Sequence, residues 1–293
     1  MTEGKYKAPD WNLMLGCKPD EFCDTLISRR PKWITGSLSH SDTRFLFRIA
    51  LECASPEIVE LGTGSGFSTA VLCHALNSLN HAGVIRSDFR VFSYDCLPYF
   101  YADQSRRVGD AAREQLPVDL LNHITFRHPY SAYDITFRHP CSAYIARMHG
   151  SNSVGLMFID ANHNHPWPTL DLLAVLGSLK PDGIVVFHDI NLPLVNPAFT
   201  ARGVQHLFDG LRAEKRVPVD VALPNIGSIR IPSDKRELKE QLADIIFRNE
   251  WQGGVARRYL RKLGVNKSRR KLEDANTSVW TKATSIIRSG KMG

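Results

Sequence analysis

Glu60, Gly62, Gly64 and Gly66 set one acid and three alternate glycines between the apolar run Ile58-Val59 and the segment Phe67-Ser68-Thr69. Glycine tolerates positive φ and has no Cβ, so the backbone can pass close against a ligand. The helix starting behind such a turn offers free N–H groups to something polar. A carboxylate here repels a pyrophosphate but suits the cationic amino group of an amino-acid-like ligand. The spacing also departs from the G-x-G-x-x-G of dinucleotide folds, which argues against a nicotinamide oxidoreductase. Further polar residues close other apolar runs: Asp95 after Arg90–Tyr94, Asp160 and His163 after Gly155–Ile159, and His188-Asp189 after Ile184–Phe187.

The elements that must position these residues alternate between strand and helix, the pattern of parallel βαβ units. A helix over Asp42–Ala54, capped near Ser41, leads to strand Glu57–Leu61, helix Phe67–Leu79 and strand Arg90–Tyr94. Helix Asp103–Gln115 follows, then strand Gly155–Ile159, helix Thr169–Leu179 and strand Ile184–Phe187. Helix Val204–Lys215 and strands Val219–Leu223 and Ile226–Ile231, joined by a hairpin-like turn at Pro224-Asn225, end the core. Counting an edge strand near residue 124, the expectation is an α/β, Rossmann-like, seven-stranded and mostly parallel sheet with helices on both faces. Ligands of such open sheets bind at the carboxyl ends of the strands, where the polar residues cluster.

The acidic turn Glu60-Leu61-Gly62-Thr63-Gly64-Ser65-Gly66 resembles motif I of class I S-adenosylmethionine (SAM)-dependent methyltransferases. The block Ile159-Asp160-Ala161-Asn162-His163, with Asp171, Lys180-Pro181-Asp182-Gly183 and His188-Asp189, resembles a subgroup akin to sugar and catechol O-methyltransferases that use a divalent metal. The pattern departs from that subgroup at Ala161, His165 and Asp182. The resemblance spans roughly residues 40–231 and implies a last strand running antiparallel. It implies SAM contacts from Glu60, Gly62, Thr63, Gly64, Gly66, Ser68 and Asp160, with the ribose diol on Asp95 and a small polar residue, Ser142 or its rival Ser131, near the adenine.

Methyl transfer from a sulfonium is an in-line displacement, so the protein must align the acceptor and help remove its hydroxyl proton. Asp160 and Asp189, on adjacent strand ends, suit Mg²⁺ or another hard divalent cation that lowers the pKa of the acceptor hydroxyl. His163 suits the proton, and His188 is the alternative base or a third ligand, though imidazole favours Mn²⁺, Fe²⁺ or Zn²⁺. The expected acceptor is a small molecule or glycan hydroxyl. The competing expectation is a non-catalytic SAM-fold protein acting through its basic end as a regulatory or nucleic-acid-binding module.

That basic end begins at Lys235, where fifteen Lys/Arg face six Asp/Glu, against a whole-chain net charge of +7. The expected division is an N-terminal extension at 1–40, a catalytic domain at 41–234 and a basic helical tail at 235–293. In the tail Leu238, Leu242, Ile245 and Ile246 recur at helical spacing, the mark of a helix packed on the domain. Its charge would also suit a peripheral membrane contact, whereas nucleic acid is the less favoured partner, and a homo-oligomer stays open. The start lacks a signal-like apolar segment, no apolar run approaches a membrane span, and six scattered cysteines imply neither disulfide framework nor zinc site, so the chain reads as cytoplasmic.

One short segment is duplicated in tandem. Residues 124–134 (ITFRHPYSAYD) and 135–145 (ITFRHPCSAYI) agree at nine of 11 positions. Only one copy can fill the expected edge strand, and either would serve; the other must bulge out as a loop or pair locally.

Overall fold

The structure, a computed structural model, describes residues 18–35, 38–127, 145 and 148–250. Seven strands build one sheet: β1 (Glu57–Leu61), β2 (Arg90–Tyr94), β5 (Ile124–Arg127), β6 (Val154–Ile159), β7 (Leu179–His188), β8 (Lys215–Arg216) and β9 (Ile226–Arg230). Their spatial order is β5-β2-β1-β6-β7-β9-β8. The pairs from β5 to β7 are parallel, and β9 runs antiparallel to both β7 and β8. The α/β, Rossmann-like, mostly parallel seven-stranded sheet with its last strand reversed is therefore the observed fold.

Both faces of the central strands are apolar because helices cover both. On one face Ile58, Phe158 and Val186 pack with Leu46, Phe47, Leu72 and Leu76 from α2 (His40–Cys53) and α3 (Phe67–His81), over which α1 (Pro19–Ser28) adds Cys23 and Leu26. On the other, Val59, Met157, Val185 and Phe187 meet Leu172 of α6 (Trp167–Val175) and Leu207 of α8 (Gly203–Gly210). The alternation Ile58/Val59 and Phe158/Met157 is the period of two that sends successive side chains to opposite faces. On that second face α9 (Lys235–Arg248) buries Leu238, Leu242 and Ile245, so the first part of the basic segment is a helix docked by its apolar stripe. Residues 251–293, which carry all of the basic excess, lie outside the described residues.

Several local expectations are corrected. The cap of α2 is Ser39, whose hydroxyl accepts from the Asp42 N–H while the Asp42 carboxylate accepts from the Ser39 N–H. The expected helix Asp103–Gln115 divides into β4 (Asp103–Arg107), paired antiparallel with β3 (Tyr99–Phe100), and a short α4 (Asp110–Gln115). Burial of Phe100 draws this hairpin onto the body of the fold, and Gly109, at φ +83°, turns the chain between strand and helix. Helix Thr169–Leu179 begins and ends earlier, as α6, and Leu179 to Asp182 instead enter β7. Helix Val204–Lys215 stops at Gly210. No strand forms at Val219–Leu223, where Pro218 and Pro224 bracket the run and Val219 is 98% exposed; the partner of β9 is Lys215–Arg216. A proline cannot donate to a ladder, which explains the displacement.

The edge strand β5 consists of Ile124-Thr125-Phe126-Arg127, the first four residues of the first repeat copy. The Phe126 ring lies under the Arg113 guanidinium at 4.3 Å and closes against Gly109. Of the second copy only Ile145, buried in the second core, lies within the described residues.

Candidate active site

All three turn glycines have positive φ: +98° at Gly62, +51° at Gly64 and +89° at Gly66. Two are also packed too tightly for a side chain. A Cβ on Gly62 would lie 1.9 Å from the Asp160 carbonyl oxygen, and one on Gly66 would lie 2.6 Å from Gly109 Cα. Gly64 faces more open space, with only a Phe100 ring atom at 3.9 Å. The Gly109 and Ala111 N–H groups donate to the Gly64 and Ser65 carbonyls, fastening the start of α4 onto the turn.

The acid of the turn points inward. Glu60 is fully buried, and its carboxylate accepts from the hydroxyls of Ser68, Thr69 and Ser93, each at 2.5 Å. Thr63 extends the chain, its hydroxyl 2.6 Å from that of Ser93. Glu60, Thr63 and Ser68, expected among the SAM contacts, are here joined in an internal network that braces the turn from β1, β2 and α3. A buried polar group needs such partners, and the apolar strand ends supply none. Burial drives the Glu60 carboxyl up to about 7 despite the three hydroxyls, with the Asp160 charge adding to the rise.

Asp95 fastens the same turn from the end of β2. One carboxylate oxygen accepts from Gly64 N at 2.9 Å and the other from Leu97 N at 2.9 Å. Ser131 and Ser142 lie outside the described residues.

Across the crevice, β6 ends at Asp160 and β7 at His188-Asp189. His163 Nε2 lies 2.8 Å from Asp189 Oδ2 and 3.4 Å from Asp160 Oδ1. Asp160, His163 and Asp189 form a cluster whose ligand atoms all lie within 4.8 Å of one another. The expected metal set was Asp160, Asp189 and His188; His163 stands in this cluster instead. His188 is buried behind it, with Nδ1 3.3 Å from Asp160 Oδ1 and 3.6 Å from Asp189 Oδ1, and Nε2 3.6 Å from Asp42 Oδ2.

Burial opposes charging either imidazole, yet the surrounding carboxylates prevail. His163 is raised to about 9 by its close contacts with the Asp160 and Asp189 carboxylates and by their charge, and His188 is raised well above its ordinary value. Asp160 is correspondingly held below the usual carboxylate range against its own burial, chiefly by His188 and His163. The acids thus favour the charged form of both imidazoles.

Two observations test whether a cation fits. His163 Nε2 and His188 Nδ1 are buried and make no well-directed hydrogen bond, although carboxylate oxygens stand at contact distance. Asp189 adopts φ +62°, a left-handed conformation costing an ordinary residue about 1–3 kcal/mol, and this aims its carboxylate into the cluster. An acidic pair with an adjacent imidazole and unspent donor sites fits a divalent cation of the Mg²⁺ to Mn²⁺ type.

Residues 59–190 match the family model of a methyltransferase domain. This stretch of the chain is thus similar to a methyltransferase domain. It holds the glycine turn, Asp95, Asp160, His163 and the His188-Asp189 pair, and it leaves Asp42 and Asn225 outside. Among solved structures, the chain is similar to a putative O-methyltransferase from Klebsiella pneumoniae (16% identity, 76% of this chain and 89% of that chain, TM-score 0.46). It is likewise similar to an O-methyltransferase from Bacillus cereus in complex with SAH (16%, 72% and 90%, 0.46). A third is the O-methyltransferase TomG from Streptomyces achromogenes, involved in tomaymycin synthesis and in complex with SAM (17%, 74% and 90%, 0.46). No curated protein matches the chain.

Three residues of the methyltransferase site were not singled out in the sequence. Asn225, at the start of β9, donates from Nδ2 to Asp189 Oδ1 at 2.6 Å and accepts from Asn191 N at 3.2 Å. Asp42 reaches His188 from α2. Tyr101, exposed in the β3–β4 hairpin, lies at the rim, where burial and then the Asp160 and Asp189 charges raise its phenol. None stands in a local motif; only the turn signal Pro224-Asn225 drew attention to its neighbourhood.

Among the described residues, no helix is long and apolar enough to cross a membrane.

Proposed function

We propose that this protein is a SAM-dependent O-methyltransferase acting on a hydroxyl of a small-molecule or glycan acceptor, assisted by a divalent cation at Asp160 and Asp189. The observation that carries the reading is the direct contact of the two halves of the site: the glycine turn touches Asp160, and Asp160 belongs to the acid–imidazole cluster. A cofactor along the turn would thus lie beside the residues able to manage the acceptor.

Bound SAM supplies an electrophilic methyl group, and a bound divalent cation supplies a Lewis acid toward the acceptor oxygen. The chain contributes alignment. Gly62, Gly64 and Gly66 let the backbone approach the cofactor, and Asp95, at the end of β2 beside the turn, is the acid on the ribose side. The Glu60 network braces that turn from within. Asp160 and Asp189 would hold the cation, and Asn225 fixes the Asp189 carboxylate by its 2.6 Å hydrogen bond. His163 Nε2 is the atom placed to hold or move the proton.

The deciding experiment incubates the protein with methyl-labelled SAM and a panel of sugar and phenolic hydroxyl acceptors, with and without Mg²⁺ or Mn²⁺ after chelation. Transfer that needs the cation supports the whole reading. Transfer unaffected by chelator removes the cation from it, and SAM binding without transfer to any acceptor favours the non-catalytic reading.

A further inference from the structure

Asp42 belongs to α2, outside the segment that matches the methyltransferase domain, yet it is 4% exposed and reaches the centre of the site. Its position is fixed twice over. As the third residue of the capping box it exchanges hydrogen bonds with Ser39, N–H to hydroxyl and carboxylate to N–H, each at 3.1 Å. The next polar contact of the same Oδ2 is His188 Nε2 at 3.6 Å. His188 is 5% exposed, so its imidazole has little freedom and no water-facing edge.

The ring of His188 therefore spans two sets of acids. One nitrogen faces Asp42, and the other faces Asp160 Oδ1 at 3.3 Å and Asp189 Oδ1 at 3.6 Å. With nothing on the Nε2 side, a ring rotation would be limited only by packing, and Nδ1 could turn from the catalytic pair. His188 is itself an outer partner of Asp160 and Asp189, and disturbing such partners commonly lowers metal affinity by about 10–100-fold.

We propose that Asp42 is a positioning residue: it holds the His188 imidazole so that Nδ1 confronts Asp160 and Asp189, and thereby makes the start of α2 part of the site. The consequence is that the aim of the catalytic carboxylates depends on an element preceding the first strand of the sheet. The inference rests on the reading of Asp160 and Asp189 as the working pair, but its primary test needs neither cofactor nor cation.

The test compares Asp42→Asn with Ser39→Ala in the full chain, reading the ring nitrogen NMR shifts of His188, assigned through His188→Gln. Asn keeps an acceptor for the cap and removes the carboxylate facing Nε2. Ser39→Ala weakens the same cap and leaves that carboxylate in place. The expected result is displaced His188 ring resonances in Asp42→Asn and near-native ones in Ser39→Ala, with thermal stability lowered mainly in the latter. Titration of each protein with Mn²⁺ alone should then show affinity weakened roughly tenfold by Asp42→Asn and unchanged by Ser39→Ala. Native His188 resonances in Asp42→Asn, or the same displacement in both variants, would overturn the proposal. Absence of Mn²⁺ binding in the unaltered protein would instead count against the cation, leaving the His188 result to decide the role of Asp42.

Discussion

Gly62 lies so close to Asp160 that a single added carbon would sit 1.9 Å from the Asp160 carbonyl oxygen. The two residues end neighbouring strands, and their contact joins the turn that would receive a cofactor to the cluster that would receive an acceptor. Gly62→Ala combines this clash with a φ of +98°, whereas Gly83→Ala has φ +69° but nothing within 4 Å. Overpacking and strain each cost about 1–3 kcal/mol. Denaturant unfolding should show Gly62→Ala losing at least 3 kcal/mol, roughly, and Gly83→Ala about 1 kcal/mol; equal losses would contradict the packing argument.

Glu60 gives the pH dependence of stability a definite sign. Burial raises its folded-state value to about 7, above its ordinary 4.5, so between these pH values the folded state binds more protons than the unfolded state. Unfolding free energy then falls as pH rises through that window. Glu60→Gln keeps an acceptor oxygen but cannot ionise. Its stability relative to the parent should therefore increase from pH 4.5 to 7 and level off above, as measured by urea unfolding at a series of pH values.

Ser93 joins Thr63 to Glu60 beneath the turn. Ser93→Ala leaves a buried carboxylate short of one donor, a loss of about 1–3 kcal/mol. Calorimetric SAM binding should weaken with it, because the Ser93 hydroxyl braces the turn through Thr63 and Glu60; unchanged affinity would show that the turn keeps its shape without this brace.

Asn225 lies 36 residues beyond Asp189 but fixes its carboxylate. Asn225→Ala should lower Mn²⁺ affinity and turnover together by about 10–100-fold, with little change in SAM affinity. Parallel metal and SAM titrations check the contrast.

The duplication makes an in-register deletion available. Removing residues 124–134 brings a second Ile-Thr-Phe-Arg to the end of α5 (Val118–Leu121) and its short loop, and it retains the buried Ile145. Cooperative unfolding should survive with a midpoint near that of the parent. A broad, non-cooperative melt would show that the copies are not interchangeable at the sheet edge.

Much of this protein could be read along the chain because the deciding interactions are local. Short apolar runs alternating with helical segments placed the central strands, the glycines marked a turn of positive φ, and strand-end acids marked the crevice. The β3–β4 hairpin escaped because Asp103–Arg107 has no strong period of its own; pairing with Tyr99-Phe100 and burial of Phe100 decide its state. The choice of Lys215–Arg216 over Val219–Leu223 likewise came from which segment could pair with β9.

The sequence by itself determined the class of sheet, the turn and the identity of the acids at the strand ends, since residue type and spacing along one element are sufficient for each. Tertiary structure alone decided what those acids face. It turned Glu60 inward to three hydroxyls, put His163 between Asp160 and Asp189, and brought Asp42 and Asn225 from either side of the matched domain to His188 and Asp189. The physical reason is that a carboxylate's role depends on which charges and donors surround it and on its exclusion from water, and those partners are gathered only when strands distant in sequence become neighbours.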